Sequence, residues 1–264
     1  MIHRYLPMGV LDENLDVSNV QENLITEYVG HSWYKGTGTY ESPYFVTEPD
    51  FTEYDVDDRY SWVKAPAYDG LPMEAGGLSR VLAAYQRGNE FIVEHLDDLL
   101  VKLGAKPGQL SVLQNTLGRT AARQIETLYI SELMIMWTEE LMEAIKHGES
   151  TYFEEAPTTT GAGTGFWEAP RGALYHSEKV TNNSIDGYQI IIPSTWNLAP
   201  INENGQHGPM EAALIGDPVE DIEMPINALR TVHSFDPCTA CAVHITEPKT
   251  GKTFKTVTSP WGVK

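Results

Sequence analysis

A mainly α fold with a smaller, irregular α+β part is what this 264-residue sequence predicts. Three observations carry that expectation. Apolar residues recur at helical spacing over two long stretches in the middle of the chain. Near residue 150 that period gives way to Thr/Gly/Pro-rich segments, weak alternation and short apolar runs. The only two cysteines, Cys238 and Cys241, lie together near the C-terminus. Long antiparallel helices plus short strands are therefore expected, packed around a C-terminal segment that carries the chemistry.

Residues 1–75 are rich in Tyr, Asp, Pro and Gly and show little periodicity, so long ordered loops are expected there. Six aromatics (Trp33, Tyr34, Tyr40, Tyr44, Tyr60, Trp62) are too many for a flexible linker. They lie either against something larger than this chain or on its own helices. From Leu78 to Leu103, Val81, Leu82, Tyr85, Phe91, Ile92, His95, Leu96 and Leu99 recur at helical spacing, and Gly104 stands where a C-terminal cap belongs. Lys106-Pro107-Gly108 is a turn. A second helix is expected from about Leu117 to His147, with Ala121, Ile125, Leu128, Leu133, Trp137, Leu141 and Ile145 on one stripe that reads as core packing. The short connection suggests an antiparallel pair.

After Gly148 the stretch APTTTGAGTGFWEAPRG reads as a loop. ALYHSEKV and YQIIIPSTW read as two short strands with Asn182-Asn183 between them, the second ended by Pro193. Two short helices are expected around Met210–Ile215 and Pro225–Val232. The tail VHITEPKTGKTFKTVTSP alternates weakly, as a small hairpin or an exposed extension would. The division falls near residue 150: a loop-rich segment with a helix pair over 1–150, and an irregular α+β part beyond it, both sharing one core.

At 41% hydrophobic and 21% charged residues the composition is globular. Eighteen Lys+Arg stand against 37 Asp+Glu, a formal charge of −19, which argues against nucleic acid or an anionic membrane as partner. No apolar run approaches the roughly 20 residues of a membrane span; Leu128–Met136 is shorter and is interrupted by Ser131 and Glu132. Pro7 and the acidic run after it come too early for a secretion signal. Two cysteines make no disulfide framework for a chain of this length.

Asp236-Pro237-Cys238-Thr239-Ala240-Cys241-Ala242-Val243-His244 is the informative segment. On a tight turn it offers two thiolates and an imidazole in a small space, a donor set that favours soft metals over Mg or Ca. A closed tetrahedral zinc site needs four ligands, and no second cysteine pair exists. A thioredoxin-like pair wants a strand–CxxC–helix setting, whereas this one is near the C-terminus with Pro just before it. An inert buried pair is the third reading. The spacing alone leaves all three open.

RTVHSFDPCTACAVH resembles the C-terminal signature of the large, catalytic subunit of nickel–iron hydrogenases. GHSWY (Gly30–Tyr34), RYSWVKAPAYDGLPMEAGGLSR (Arg59–Arg80), EAPRGAL (Glu168–Leu174), YQIIIPSTWN (Tyr188–Asn197) and GPMEAALIGDP (Gly208–Pro218) fall in the family's order and spacing. The resemblance implies a Ni–Fe centre held by four cysteines, with CO and cyanide on the iron. Cys238 matches the terminal nickel ligand, and Cys241 the thiolate bridging nickel and iron. Arg171 matches the arginine over the open nickel–iron position, and Asp236 the carboxylate paired with it. Ser194 matches a donor to an iron-bound cyanide, while Pro170, Leu174, Ile192 and Pro193 match residues lining the diatomic ligands. His244 and the carbonyl of Ile190 match magnesium ligands. His31, His207 and His233 also fall in family-like stretches and read as packing or hydrogen-bonding residues.

The same resemblance implies H2 as substrate, cleaved to protons and electrons. A base must take the proton; Arg is essentially always protonated, so a thiolate fits that role better, with Arg171 positioning. Electrons would leave through iron–sulfur clusters on a small subunit, because no cysteines remain here for clusters. The family's RxCGxC motif, with the other two cysteines, is not in this sequence, so the N-terminal half of the family's subunit is expected on another polypeptide or beyond a fragment's start. Ala67 stands where the family usually carries Arg, GGLSR where GPLAR is usual, and Tyr175-His176-Ser177 replaces a commoner Gly-His-Trp. Residues 151–244 would bear the site, and 245–264 would match an extension removed by a maturation protease. The form HSFDPCTACAVH most resembles exported, membrane-associated enzymes, implying the periplasmic side for the mature protein and the cytoplasm for its precursor. The alternative is a catalytically inactive relative serving as a scaffold or metal-handling protein.

Overall fold

In the N-terminal region short paired strands interrupt the expected loops. The computed structural model describes residues 5–41, 47–51, 53, 58–149, 160–238, 241–246, 250–251 and 253–258. Strands β1 (Val10–Leu11) and β2 (Val17–Ser18) form a small hairpin, and β3 (Ile25–Tyr28) pairs antiparallel with both β4 (Thr39–Glu41) and β5 (Ala65–Tyr68). Runs of two to four residues are too short for their alternation to show in sequence. Of the six aromatics, Trp33 is buried and makes edge-on ring contacts with Phe51 and Trp62, while Trp62 itself is 53% exposed. Tyr44 lies outside the described residues.

The helix expected from Leu78 to Leu103 is two helices, α1 (Gly77–Gln86) and α2 (Glu90–Lys102). The break is local chemistry. Gly88 takes a φ of +72°, left-handed backbone that glycine adopts without strain, and the Asn89 side chain caps α2 by accepting from the Ile92 amide. Helix α3 (Thr116–Lys146) starts on Asn115, which accepts from the Gly118 amide in the same way. Leu78, Val81 and Leu82 of α1, Ile92, Leu96 and Leu100 of α2 and Ala122 of α3 form the largest core cluster. Fully burying one such Leu or Ile contributes about 1.5–3 kcal/mol.

The stripe expected to be core along α3 is core only in part. Leu133 is buried, but Leu128, Leu141 and Ile145 are exposed, as are Met134, Ile135 and Met142 beside them.

Beyond residue 160 three strands run antiparallel in the order β6 (Gly161–Ala169), β7 (Gly172–Thr181), β8 (Ser184–Ile191). The β7–β8 turn is Asn182-Asn183, with φ of +52° and +64°, the left-handed pair that a two-residue hairpin requires. Strand β6 occupies the stretch read as a loop. Its first half, GAGTG, is exposed and almost without side chains, so no alternation marks it.

After β8 comes α4 (Pro193–Asn197), with Pro193 at its first position, where a missing N–H costs nothing. Helices α5 (Pro209–Leu214) and α6 (Ile226–Ser234) follow near the expected positions, and β9 (Cys241–Thr246) and β10 (Thr253–Thr258) close the described chain as an antiparallel hairpin. The architecture is thus mixed, helices plus four small antiparallel sheets among the described residues, rather than mainly α. A second cluster joins Ile25 of β3, Tyr175 of β7, Ile191 of β8 and Trp196 of α4, so residues on both sides of position 150 share it. Among the described residues no helix is long and apolar enough to cross a membrane.

Candidate metal centre

Four of the residues singled out in the sequence meet at one place. Arg171 is the tip of the β6–β7 hairpin, whose two-residue connection is Pro170-Arg171. That tip is held by a backbone-to-backbone approach: a Cβ on Gly172, whose φ is +123°, would lie 2.5 Å from the Gly76 nitrogen. The Arg171 Nε donates to the Asp236 carbonyl at 2.9 Å and lies 3.5 Å from its carboxylate Oδ2. Asp236 itself takes a left-handed φ of +51° directly after the turn that ends α6. Two residues on, the exposed Cys238 sulfur accepts a hydrogen bond from Ser194 Oγ at 3.0 Å.

Ser194 is buried on α4, so the hydroxyl meets the sulfur from a fixed position. A cysteine sulfur that accepts a hydrogen bond from a buried hydroxyl is a soft donor suited to a soft metal. Arg171 and Asp236, about one-third and one-half exposed, leave this corner open on one side.

The other expected site residues are distributed more widely. Pro170 is exposed and lines a narrow pocket with Arg171, Gly76, Ser234 and Asp236. Pro193 is buried, as is Ser194 next to it in the chain, whereas Ile192 is 37% exposed at the helix start. Leu174 lies in the wall of a different cavity, of about 830 Å³, together with Phe166 and Trp196. Ile190 sits in β8 opposite His176, 40% exposed. The backbones of Cys241 and His244 lie in β9, paired with Thr258 and Lys255. Residues 239–240 between the cysteines, and the side chains of Cys241 and His244, lie outside the described residues. Among the described residues no three His, Cys, Asp or Glu side chains stand close enough to hold a metal. His31 bonds the Asp58 carbonyl at 3.0 Å, His207 bonds Glu211 at 2.9 Å, and His233 is exposed on α6.

Several charged residues around the site were not singled out in the sequence. Arg80 of α1, 2% exposed, donates to Glu126 of α3, to Glu168 at 2.6 Å, and to the Ala169 and Pro170 carbonyls at 2.7 and 3.1 Å. It thereby holds the β6 end that carries Arg171. Tyr5 donates to the same Glu126 carboxylate. Burial pushes the Glu168 carboxyl above the usual carboxylate range, against the pull of Arg80. Burial likewise raises the Tyr5 hydroxyl, with its bond to Glu126 adding to the rise. On α3, Arg119 grips Glu74 with two bonds of 2.8 Å, and Arg123 donates to the Ser234 carbonyl. The signal was present: positions 119, 123 and 126 recur at i, i+4 and i+7 beside Ala122, on the face that α3 buries.

A family model described as Nickel-dependent hydrogenase matches residues 2–244. The chain belongs to the nickel-dependent hydrogenase family. It is 36% identical to the uptake hydrogenase large subunit of Bradyrhizobium diazoefficiens over 91% of this chain and 44% of that protein. It is equally similar, at 36%, to the Hydrogenase-1 large chain of Escherichia coli over 90% of this chain and 43% of that one. Among solved structures, the reduced Ni-Fe-Se hydrogenase of D. vulgaris Hildenborough superposes with a TM-score of 0.74 and 36% identity, covering 90% of this chain and 48% of that one. The hydrogenase-family chain thus spans less than half the length of these relatives.

Proposed function

We propose that this chain supplies the C-terminal part of a nickel–iron hydrogenase large subunit, which splits H2 heterolytically once its remaining parts are assembled. The observation that carries this reading is the meeting of Ser194, Cys238, Asp236 and Arg171, from three separate segments, around a sulfur held by a 3.0 Å hydrogen bond. The chain's own donors fit half of a four-cysteine centre: Cys238 and Cys241 would hold nickel, with Cys241 shared with iron, and His244 with the Ile190 carbonyl would hold magnesium. When bound, the Ni–Fe group, with CO and cyanide on its iron, supplies the redox chemistry.

The residues of this chain do the rest. Cys238, as the terminal thiolate, accepts the proton. Ser194 stabilises negative charge on that sulfur while it is unprotonated. Arg171 brings a fixed positive charge to the open side, and Asp236 with its carbonyl keeps the planar fork from rotating away. Electrons pass to an iron–sulfur small subunit, and the other two cysteines come from the rest of the large subunit. Residues 245–264 are a maturation extension cut after His244, and the mature complex works on the periplasmic side.

The test compares this chain alone with the chain co-produced with a polypeptide bearing RxCGxC and a small subunit. Alone, it should hold no stable nickel and iron and oxidise no hydrogen. Assembled, it should carry the two metals in equal amounts, turn over, and end at His244 by intact mass. In that complex Arg171→Lys should keep its metals and lose turnover by orders of magnitude. An assembled complex without nickel would instead favour a scaffold or metal-handling role.

A further inference from the structure

The contacts around Cys238 form a closed circuit through four separate parts of the chain. Ser194 Oγ meets Cys238 Sγ at 3.0 Å. Three residues along α4, Asn197 makes two hydrogen bonds with the Ala75 backbone: its Oδ1 accepts from the amide at 2.9 Å, and its Nδ2 donates to the carbonyl at 2.6 Å. Glu74, next in the chain, takes two bonds of 2.8 Å from Arg119. The same guanidinium lies 3.9 Å from the Phe235 ring centre and within 3.5 Å of Ser234 Oγ. Phe235 is three residues before Cys238.

We propose that Arg119 is a positioning residue: by bridging Glu74 to the Ser234–Phe235 turn it closes this circuit and sets Cys238 against Ser194. The proposal rests on reading Cys238 as the metal-binding thiolate.

The physical argument concerns what each link can fix. Asn197 is 2% exposed and bonds both groups of one residue, so α4 and the Glu74 segment move as one piece. The Ser234–Asp236 turn enters from another direction, with Asp236 in left-handed backbone at the end of α6 and its amide bonded back to the His233 carbonyl at 3.0 Å. Arg119 ties these two pieces together directly, adding to the Ser194–Cys238 hydrogen bond and to the bonds that Arg123 and Arg171 make with the turn. A guanidinium suits that tie because its plane can satisfy a carboxylate along one edge and stack on an aromatic ring with its face. Arg123 and Arg171 hold the carbonyls of Ser234 and Asp236 on either side of Phe235, so the turn is gripped at three successive residues.

A disulfide reporter tests this without metal or hydrogen. In the full chain with Ser194→Cys and Cys241→Ser, residue 194 and Cys238 form the only thiol pair. Oxidised glutathione converts the two thiols to a disulfide and becomes two reduced glutathiones, so the equilibrium reads the effective concentration of one sulfur at the other. In this background Arg119→Leu and Glu74→Gln should each lower it by about tenfold or more, because effective concentration falls steeply once groups leave contact geometry. Their combination should lower it no further than the larger single effect, since both break one link. Arg119→Lys, which keeps charge without the fork, should fall between. Leu96→Ala, which loosens the core elsewhere, should leave it unchanged. Equal values in wild-type, Arg119 and Glu74 backgrounds would overturn the proposal, as would an equal loss in Leu96→Ala or no disulfide in the parent. If the circuit behaves as expected while the assembled complex takes up no nickel, the functional reading fails and the circuit stands.

Discussion

Helix α3 is one continuous helix with two different halves. From Thr116 to Tyr129 it is bound into the molecule: Gly118 lies so close to Leu113 that a Cβ would fall 1.8 Å from its carbonyl oxygen. Ala122 is in the core, and Arg119, Arg123 and Glu126 are engaged with α1, α6 and the segment before Cys238. From Ile130 to Lys146 the same helical spacing of apolar residues continues, yet Met134, Ile135, Leu141, Met142 and Ile145 are 52–66% exposed. Charged side chains of the inner half are engaged with the rest of the molecule, while much of the apolar surface of the outer half is bare. Helical period reports which residues share a face; what covers that face depends on which other chain is present. Here less than half of the relatives' length is in hand.

The comparison breaks most visibly at Arg80. It packs against the inner half of α3 and compensates two buried carboxylates, Glu126 and Glu168. Arg80→Met should cost about 3–5 kcal/mol in urea unfolding, the range for removing one partner from a buried ion pair. A loss below 1 kcal/mol would mean that the inner half is not held by its charges.

How far the sequence reaches follows the same division. The Asn182-Asn183 hairpin, α5, α6 and the extent of α3 are legible because each has a local signal: a turn pair, an apolar period or a cap. Strand β6 is not, since GAGTG has almost no side chains to alternate, and at its far end Gly161 pairs with Val180, nineteen residues along the chain. The break at Gly88 was legible in principle, but the apolar stripe runs through it unbroken. At the site, Cys238, Arg171, Asp236 and Ser194 were found through short motifs in a known order. Glu74 and Asn197 lie inside such motifs without a role of their own and Arg119 lies outside them, because a polar residue near a helix ordinarily reads as solvated. Only their three-dimensional partners show otherwise.

The pH dependence of stability sharpens the contrast next, as a change of slope. Burial raises the folded Glu168 carboxyl, so as pH climbs through the ordinary carboxylate range the unfolded chain releases this proton before the folded one does. The folded state then binds more protons, and this group's contribution to stability falls with rising pH. Glu168→Gln keeps an acceptor for Arg80 and removes the titration. The thermal midpoint of wild type relative to this variant should decline from about pH 4 to pH 7. A rising or flat difference would show that Arg80 dominates and Glu168 is ionised throughout.

The smallest effect is expected in the outer half. Ile135→Ser, Leu141→Ser and Ile145→Ser should each change the stability of the isolated chain by no more than about 0.5 kcal/mol, as substitutions of exposed residues do. Together they should reduce its self-association in sedimentation experiments. Losses of 2 kcal/mol or more would place these side chains in a core and erase the distinction between the halves.

The contact between Gly172 and Gly76 has a consequence in terms of tolerance. Where side chains separate two segments, rotamer changes can take up small errors, and the spacing between the segments drifts with temperature or sequence. At Gly172 the hairpin meets the neighbouring backbone with too little room for even a methyl group, so the spacing is set by covalent geometry and hard contact. Arg171, one residue away, inherits that tighter tolerance at the root of its side chain. Its remaining play lies in the torsions beyond Cβ, which the Asp236 carbonyl restrains at the far end. A long, flexible residue is in effect clamped at both ends, and a small cation can be placed to within the precision of a backbone.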